Sequence, residues 1–120
     1  MVNYFFDTYA IIELLKHNPA YKTYEDYPLI TTILHKIELS WWGLLKYNQE
    51  FANILLQSIV HTQEITNDVI RDAILFRQQF KKRDLSYADA IGYAFARRHD
   101  LLFLTGDRQF KNLPGVEYVE

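Results

Sequence analysis

The sequence predicts an α/β fold: three layers, with a central, mostly parallel sheet of four or five strands and helices on both faces. Three observations point there. Short apolar runs alternate with longer amphipathic stretches, the pattern of strands joined by helical crossovers. Hydrophobic residues make up 49% and aromatics 16% of 120 residues, enough large side chains to fill one core. No repeat, low-complexity tract or Gly/Ser linker divides the chain, so residues 1–120 are expected to form a single domain.

The elements follow in order. Residues 2–6, Val-Asn-Tyr-Phe-Phe, form an aromatic run expected as a strand buried on both faces. Asp7 and Thr8 then supply an N-cap for a helix over 9–16, which Asn18-Pro19 ends. Pro28 opens a longer helix over 29–46, and another follows over 50–59. Residues 60–65 read as a second strand. Asn67 or Asp68 caps a helix running to residue 82, and Ser86 begins one that reaches Arg98. The apolar pentad 101–105 is the third strand. Gly106-Asp107 turns into a short helical piece, and 116–119 adds a last strand after Pro114-Gly115.

Charge and cysteine content narrow the function classes. The 13 Lys and Arg face 15 Asp and Glu, a formal net charge of −2. Nucleic-acid binders usually show a basic face, which this total does not suggest. Carboxylates that hold divalent ions would reverse the local sign, however, because a bound cation is often the largest charge in its site. Cysteine is absent, which excludes disulfides, thiolate catalysis and Cys-type zinc sites and fits a reducing, cytoplasmic compartment. No apolar run approaches the ~20 residues of a membrane span. Asp7 inside the first apolar stretch, with no basic residue before it, argues against a secretion signal.

The acids carry the chemistry. Asp7 directly follows the first strand, and Asp107 lies two residues beyond Thr105, the end of the third. In an open parallel sheet, ligands bind outside the carboxyl ends of the strands, where both acids would project. Either could instead simply cap the helix that follows it. Glu38 sits in the 29–46 helix, on the shoulder of an apolar stripe of Ile30, Ile33, Leu34, Ile37, Trp41, Leu44 and Leu45 expected to face the core. A carboxylate bordering a buried stripe needs a partner, since burying an unpaired charge is costly. Asp89 follows Ser86 by three positions, the spacing of a capping box, and opens a helix rich in Ala and Gly that could pack closely. Four acids meeting at one sheet end would raise one another's pKa. A hard divalent ion with oxygen ligands, Mg²⁺ or Mn²⁺, would resolve that repulsion.

Read together, Phe5-Phe6-Asp7-Thr8, Ile37-Glu38-Leu39, Leu85-Ser86-Tyr87-Ala88-Asp89-Ala90 and Leu104-Thr105-Gly106-Asp107-Arg108-Gln109-Phe110 resemble the PIN-domain nucleases. The likeness is closest to the small VapC-type toxin ribonucleases and covers essentially the whole chain. It implies a PIN-like fold and a Mg²⁺- or Mn²⁺-dependent endoribonuclease. The family's acidic quartet falls on Asp7, Glu38, Asp89 and Asp107, with Thr105 and Thr8 as polar companions. Asp7, Asp89 and Asp107 would bind metal, and Glu38 directly or through water. Activated water would attack an RNA phosphodiester, leaving 5′-phosphate and 3′-hydroxyl ends. The resemblance also implies a homodimer and a small cognate antitoxin. Tyr9 departs from the Ser or Asn that many relatives carry after Asp-Thr.

Other readings are weaker. Haloacid-dehalogenase phosphatases need a second Asp where Tyr9 stands, and response receivers an adjacent acidic pair where Thr8 stands. A Ser-His-Asp hydrolase lacks its Gly-x-Ser-x-Gly turn. His17, His35, His61 and His99 show no ligand spacing and are expected at the surface or boundary. Lys81-Lys82-Arg83 reads as a solvated helix end, while Arg97, Arg98 and Arg108 are the candidate phosphate-binding cations near the acids in sequence. Leu39 and Trp42 fall off the stripe and are expected to be exposed, where they would mark a partner surface. The alternatives kept are an RNA-processing PIN nuclease that is not a toxin, and a non-catalytic PIN-like binding module.

Overall fold

The computed structural model describes residues 2–120. Three parallel strands, β1 (Tyr4–Phe6), β2 (Leu102–Thr105) and β3 (Val116–Tyr118), lie in the order β1-β2-β3. The helices are α1 (Thr8–Leu15), α2 (Ile33–Lys46), α3 (Gln49–Ser58), α4 (Asn67–Gln79) and α5 (Tyr87–Arg98). Two short 3₁₀ segments, Pro19–Tyr24 and Arg108–Phe110, complete the chain. None of these helices is long and apolar enough to cross a membrane.

The register explains the layers. Successive strand residues point to opposite faces. Phe5 and Phe103, paired across β1 and β2, join one core with Val69, Ala73 and Phe76 of α4 and Ala90, Ile91 and Phe95 of α5. Tyr4, Phe6 and Leu104 join a second core with Ala10 and Ile11 of α1, Leu39 of α2 and Leu55 of α3. The sheet is thus covered on both sides, as its nearly all-apolar strands require. Tyr hydroxyls tie the edge strand down: Tyr24 donates to the Glu117 carboxylate at 2.7 Å and Tyr93 to the Pro114 carbonyl at 2.6 Å.

Two expectations are corrected here. Residues 60–65 form no strand. Only Gln63 pairs with Thr32 in a single parallel bridge, and Phe5 pairs likewise with Ile30. The sheet therefore has three strands among the described residues, extended beyond β1 by isolated bridges rather than by full fourth and fifth strands. The same bonds delay α2. The Phe6 N–H donates to the Ile30 carbonyl at 2.8 Å and Thr31 Oγ1 to the Phe6 carbonyl at 3.0 Å, so the chain stays extended until Thr32.

The second correction concerns which side of α2 is buried. Ile33, Ile37, Trp41, Leu44 and Leu45, expected in the core, are exposed, whereas Leu39 is buried and Trp42 partly so. The buried face runs through Thr32, His35, Leu39 and Gly43. Gly43 allows close approach there, since a Cβ would come within 2.6 Å of Leu55 Cδ1 and 3.2 Å of Phe51 and those side chains would have to shift. Close approach of α3 selects the face carrying the smallest residue, and hydrophobicity alone does not report that.

Candidate active site

Asp7 and Asp107 leave the carboxyl ends of β1 and β2, and Asp89 sits in the first turn of α5. Glu38 approaches from α2. Each carboxylate is anchored by hydrogen bonds from neighbouring groups. Thr105 Oγ1 donates to Asp7 Oδ2 at 2.7 Å, and Thr8 Oγ1 donates to Glu38 Oε1 at 2.7 Å. The Ser86 N–H donates to Asp89 Oδ2 at 3.0 Å, and the Gln109 N–H to Asp107 Oδ1 at 3.0 Å. Thr105 Oγ1 also accepts the Asp107 N–H at 3.1 Å, so one hydroxyl links the two strand-end acids. At Asp89, capping and clustering coexist. Its reciprocal bonds with Ser86 form a capping box, while one carboxylate oxygen remains outside that box.

Electrostatics shows that the four acids sense one another. Asp7, only 2% exposed, is pushed up to about 8, first by desolvation, then by the charges of Asp89 and Glu38, against the Thr105 hydrogen bond that lowers it. Asp89 is raised to about 6, again mainly by burial, with Glu38 and Asp107 adding repulsion and its bonds to Ser86 opposing. Among the described residues, no Lys or Arg forms an ion pair with any of the four. Nor do any three His, Asp or Glu side chains form a tight ligand group. The acids share one end of the sheet as separate, individually held groups.

One residue here was expected elsewhere. His35, assigned from sequence to the surface or boundary, is fully buried. Its Nδ1 lies 2.7 Å from Thr32 Oγ1 and its Nε2 3.7 Å from Asp7 Oδ1. Both Nε2 and that Asp7 oxygen lack a hydrogen-bond partner. Burial lowers the His35 pKa to about 4, with a smaller opposing contribution from the Ala88 backbone, so the ring is neutral at ordinary pH. Gly92 makes room for it: a Cβ there would stand 2.7 Å from Nε2. The spacing puts Thr32, His35 and Glu38 on one side of a helix, but it does not report that this side is buried, which Gly92 of another helix makes possible.

The candidate cations separate differently. Arg98 is held by Asp72 at 2.9 Å and lies near Asp68, at the end of α5 remote from Asp89. Arg97 shares that end, with its side chain against Gly115. The structure does not bring either to the acids, because proximity in sequence along a helix becomes distance along its axis. Arg108 follows Asp107 and stands 3.8 Å from Glu120.

An α/β domain with carboxylates gathered at the carboxyl ends of parallel strands defines the class. A family model described as the PIN domain matches residues 4–116, and the chain belongs to that family. Among curated proteins, none matches it. Solved structures share its fold. A toxin–antitoxin complex from Klebsiella pneumoniae aligns with a TM-score of 0.73 at 27% identity, over 96% of this chain and 95% of that one. The sarcin–ricin-loop-cleaving toxin VapC20 of Mycobacterium tuberculosis aligns at 0.75 and 15% identity, over 96% and 99%. VapBC2 from Rickettsia felis, bound to a DNA fragment from its promoter, aligns at 0.73 and 14% identity over 100% of both chains.

Proposed function

We propose that this protein is a metal-dependent endoribonuclease of the VapC kind, the toxin of a toxin–antitoxin pair. One observation carries the reading. Asp7, Glu38, Asp89 and Asp107 come from four segments to one sheet end, each oriented by its own hydrogen bond and none paired with Lys or Arg among the described residues. Mutually repelling acids that share no protein cation suit a hard divalent ion, and carboxylate and hydroxyl oxygens suit Mg²⁺ or Mn²⁺. Asp7, Asp89 and Asp107 would hold it, with Glu38 direct or through water. When bound, the ion would supply Lewis-acid activation of water and neutralise charge at the scissile phosphate.

The chain's own groups prepare that site. Thr105 fixes the Asp7 carboxylate against the strand end and holds the Asp107 backbone beside it. Thr8 steers Glu38 inward from α2. At the α5 N-terminus the backbone N–H of the N-cap residue Ser86 donates to the Asp89 carboxylate and favours its ionised form. RNA is the proposed substrate. A cognate antitoxin and a second copy of the chain are the proposed protein partners, for which Ile37, Trp41, Leu44 and Leu56 line an open apolar groove of about 420 Å³ between α2 and α3.

The test is incubation of purified protein with a broad RNA panel and Mn²⁺, beside an Asp7→Asn control. The expected result is metal-dependent cleavage giving 5′-phosphate and 3′-hydroxyl ends, absent in the control. Folded protein that cleaves no RNA with any divalent ion would turn the assignment to a binding module. Cleavage without a neighbouring antitoxin-like reading frame would favour a processing nuclease over a toxin.

A further inference from the structure

We propose that the pocket at the joint of α4 and α5 binds the sugar–phosphate backbone of single-stranded RNA beside the scissile bond, an assignment that rests on the nuclease reading above. The pocket encloses about 300 Å³, and its lining includes Arg77, Lys81 and Arg83 over an apolar floor of Phe80 and Leu85, with no carboxylate. None of the three cations forms an ion pair among the described residues, whereas Arg71, Arg98 and Arg108 all do.

Two of the three are already posed. The Arg77 guanidinium lies 4.1 Å over the Tyr87 ring, and that of Arg83 4.6 Å over the Phe80 ring. Arg83 also donates to the Gln109 carbonyl. A solvated helix end would leave such side chains free, and fixing them beforehand reduces the ordering cost of gripping a phosphate. The same contacts locate the pocket. Tyr87 shares the first turn of α5 with Asp89, and the N–H of Gln109 is bound to the Asp107 carboxylate. Tyr87 and Gln109 thus tie Arg77 and Arg83, each through one intervening residue, to the segments that carry Asp89 and Asp107. Asp84, exposed in the connecting loop, is the one acid beside them in sequence, outnumbered by Lys81, Lys82 and Arg83.

A polyanion approaching four carboxylates is repelled unless nearby cations hold its flanking phosphates. Arg97 and Arg98 are at the wrong end of α5 for this task, and the pocket cations are at the right one. The ligand chemistry is phosphodiester, since three cations and an apolar floor match a charged backbone with an attached ribose or base.

The experiment measures binding of fluorescein-labelled single-stranded RNA of mixed sequence by anisotropy across a KCl series. All proteins carry Asp7→Asn, so that RNA survives. Arg77→Gln with Lys81→Gln is expected to weaken binding about tenfold or more at low salt and to reduce the salt slope by about 1.4, roughly 0.7 for each lost phosphate contact to a single strand. Lys22→Gln with Arg71→Gln removes the same charge elsewhere and is expected to change affinity by less than about threefold, the residual long-range effect of net charge. Lys81→Glu, an exposed change that cannot disturb the core, is expected to weaken binding on its own.

Equal losses from the pocket pair and the remote pair, or an unchanged salt slope, would overturn the assignment. So would pocket variants that bind RNA normally and lose only capture of an acidic antitoxin protein. Cleavage assays on proteins with Asp7 intact separate the two readings. Unchanged KM in the pocket variants would remove the pocket and leave the nuclease. RNA binding through Arg77 and Lys81 without any cleavage would leave the pocket and remove the nuclease.

Discussion

Thr105 joins the two strand-end acids through a single buried hydroxyl, donating to Asp7 and accepting from the Asp107 backbone. Thr105→Val keeps the shape and removes both bonds, leaving a buried carboxylate oxygen without its donor. The expected stability cost is about 1–3 kcal/mol. Because the hydroxyl orients proposed metal ligands, cleavage is expected to fall about 10–100-fold, with Mn²⁺ affinity falling alongside it. Thr105→Ser should restore most of both, as read by thermal melts, titration calorimetry and RNA cleavage. Full activity in the Val variant would show that Asp7 needs no such support. At this scale the acids were legible because their types and places are local facts: an Asp ending a strand, an Asp three residues after Ser, a Glu on a helix shoulder. His35 was not, because its burial depends on Gly92 of another helix leaving space for the ring. Arg77 and Arg83 were missed for a similar reason. A run ending in Lys-Lys-Arg reads as solvated until Tyr87 and Phe80 are seen beneath the guanidinium groups.

Helix α5 carries both a structural signal and a functional residue in one turn. Ser86 caps it through the Asp89 N–H at 3.0 Å while Asp89 returns a bond to the Ser86 N–H. Ser86→Ala removes one half of this box and is expected to cost about 1 kcal/mol, lowering the melting temperature by roughly 4 °C for a chain of this size. Cleavage should fall less than for Thr105→Val, since the backbone bond that orients Asp89 survives. A larger loss in Ser86→Ala would point to its 3.5 Å contact with Glu38 Oε2 as the more important one. The motif was readable because a capping box is defined by spacing. The orientation of α2 was not, because its apolar stripe and its buried face lie on different sides. The buried face is polar or small at Thr32, His35, Ser40 and Gly43, since it meets the acid site at one end and the close-packed α3 further along. Likewise 60–65 contains enough β-branched residues to suggest a strand, yet only Gln63 reaches a backbone partner. Long-range pairing decides strands, and a single sequence does not display it.

The three-layer plan was legible in the alternation of short apolar runs and helices, because a sheet buried on both faces must be apolar throughout. Its consequence for the whole molecule is a stability that depends on pH. Asp7 and Asp89 have folded pKa values of about 8 and about 6 against 3.8 for an ordinary aspartate, so the folded protein holds protons that the unfolded chain has released. Stability contributed in this way is present at low pH and lost as pH rises toward those folded values. His35 acts oppositely: its folded value of about 4 lies below 6.5, so stability is gained as pH rises between the two. The opposing effects partly cancel below pH 6.5, and Asp7 alone dominates above it. Metal-free protein is therefore expected to lose stability between pH 6.5 and 8, by at most about 1.4 kcal/mol per pH unit for one proton. Asp7→Asn should flatten that slope and raise the melting temperature at pH 8. Saturating Mn²⁺ should reverse the wild-type trend, because a cation binds the ionised carboxylates and competes with their protons. Denaturant titrations at pH 6.5 and 8, with and without Mn²⁺, read all three effects. Metal-free stability that rises across this window, or a fall that persists in Asp7→Asn, would mean that Asp7 is not the buried acid that sets the pH response.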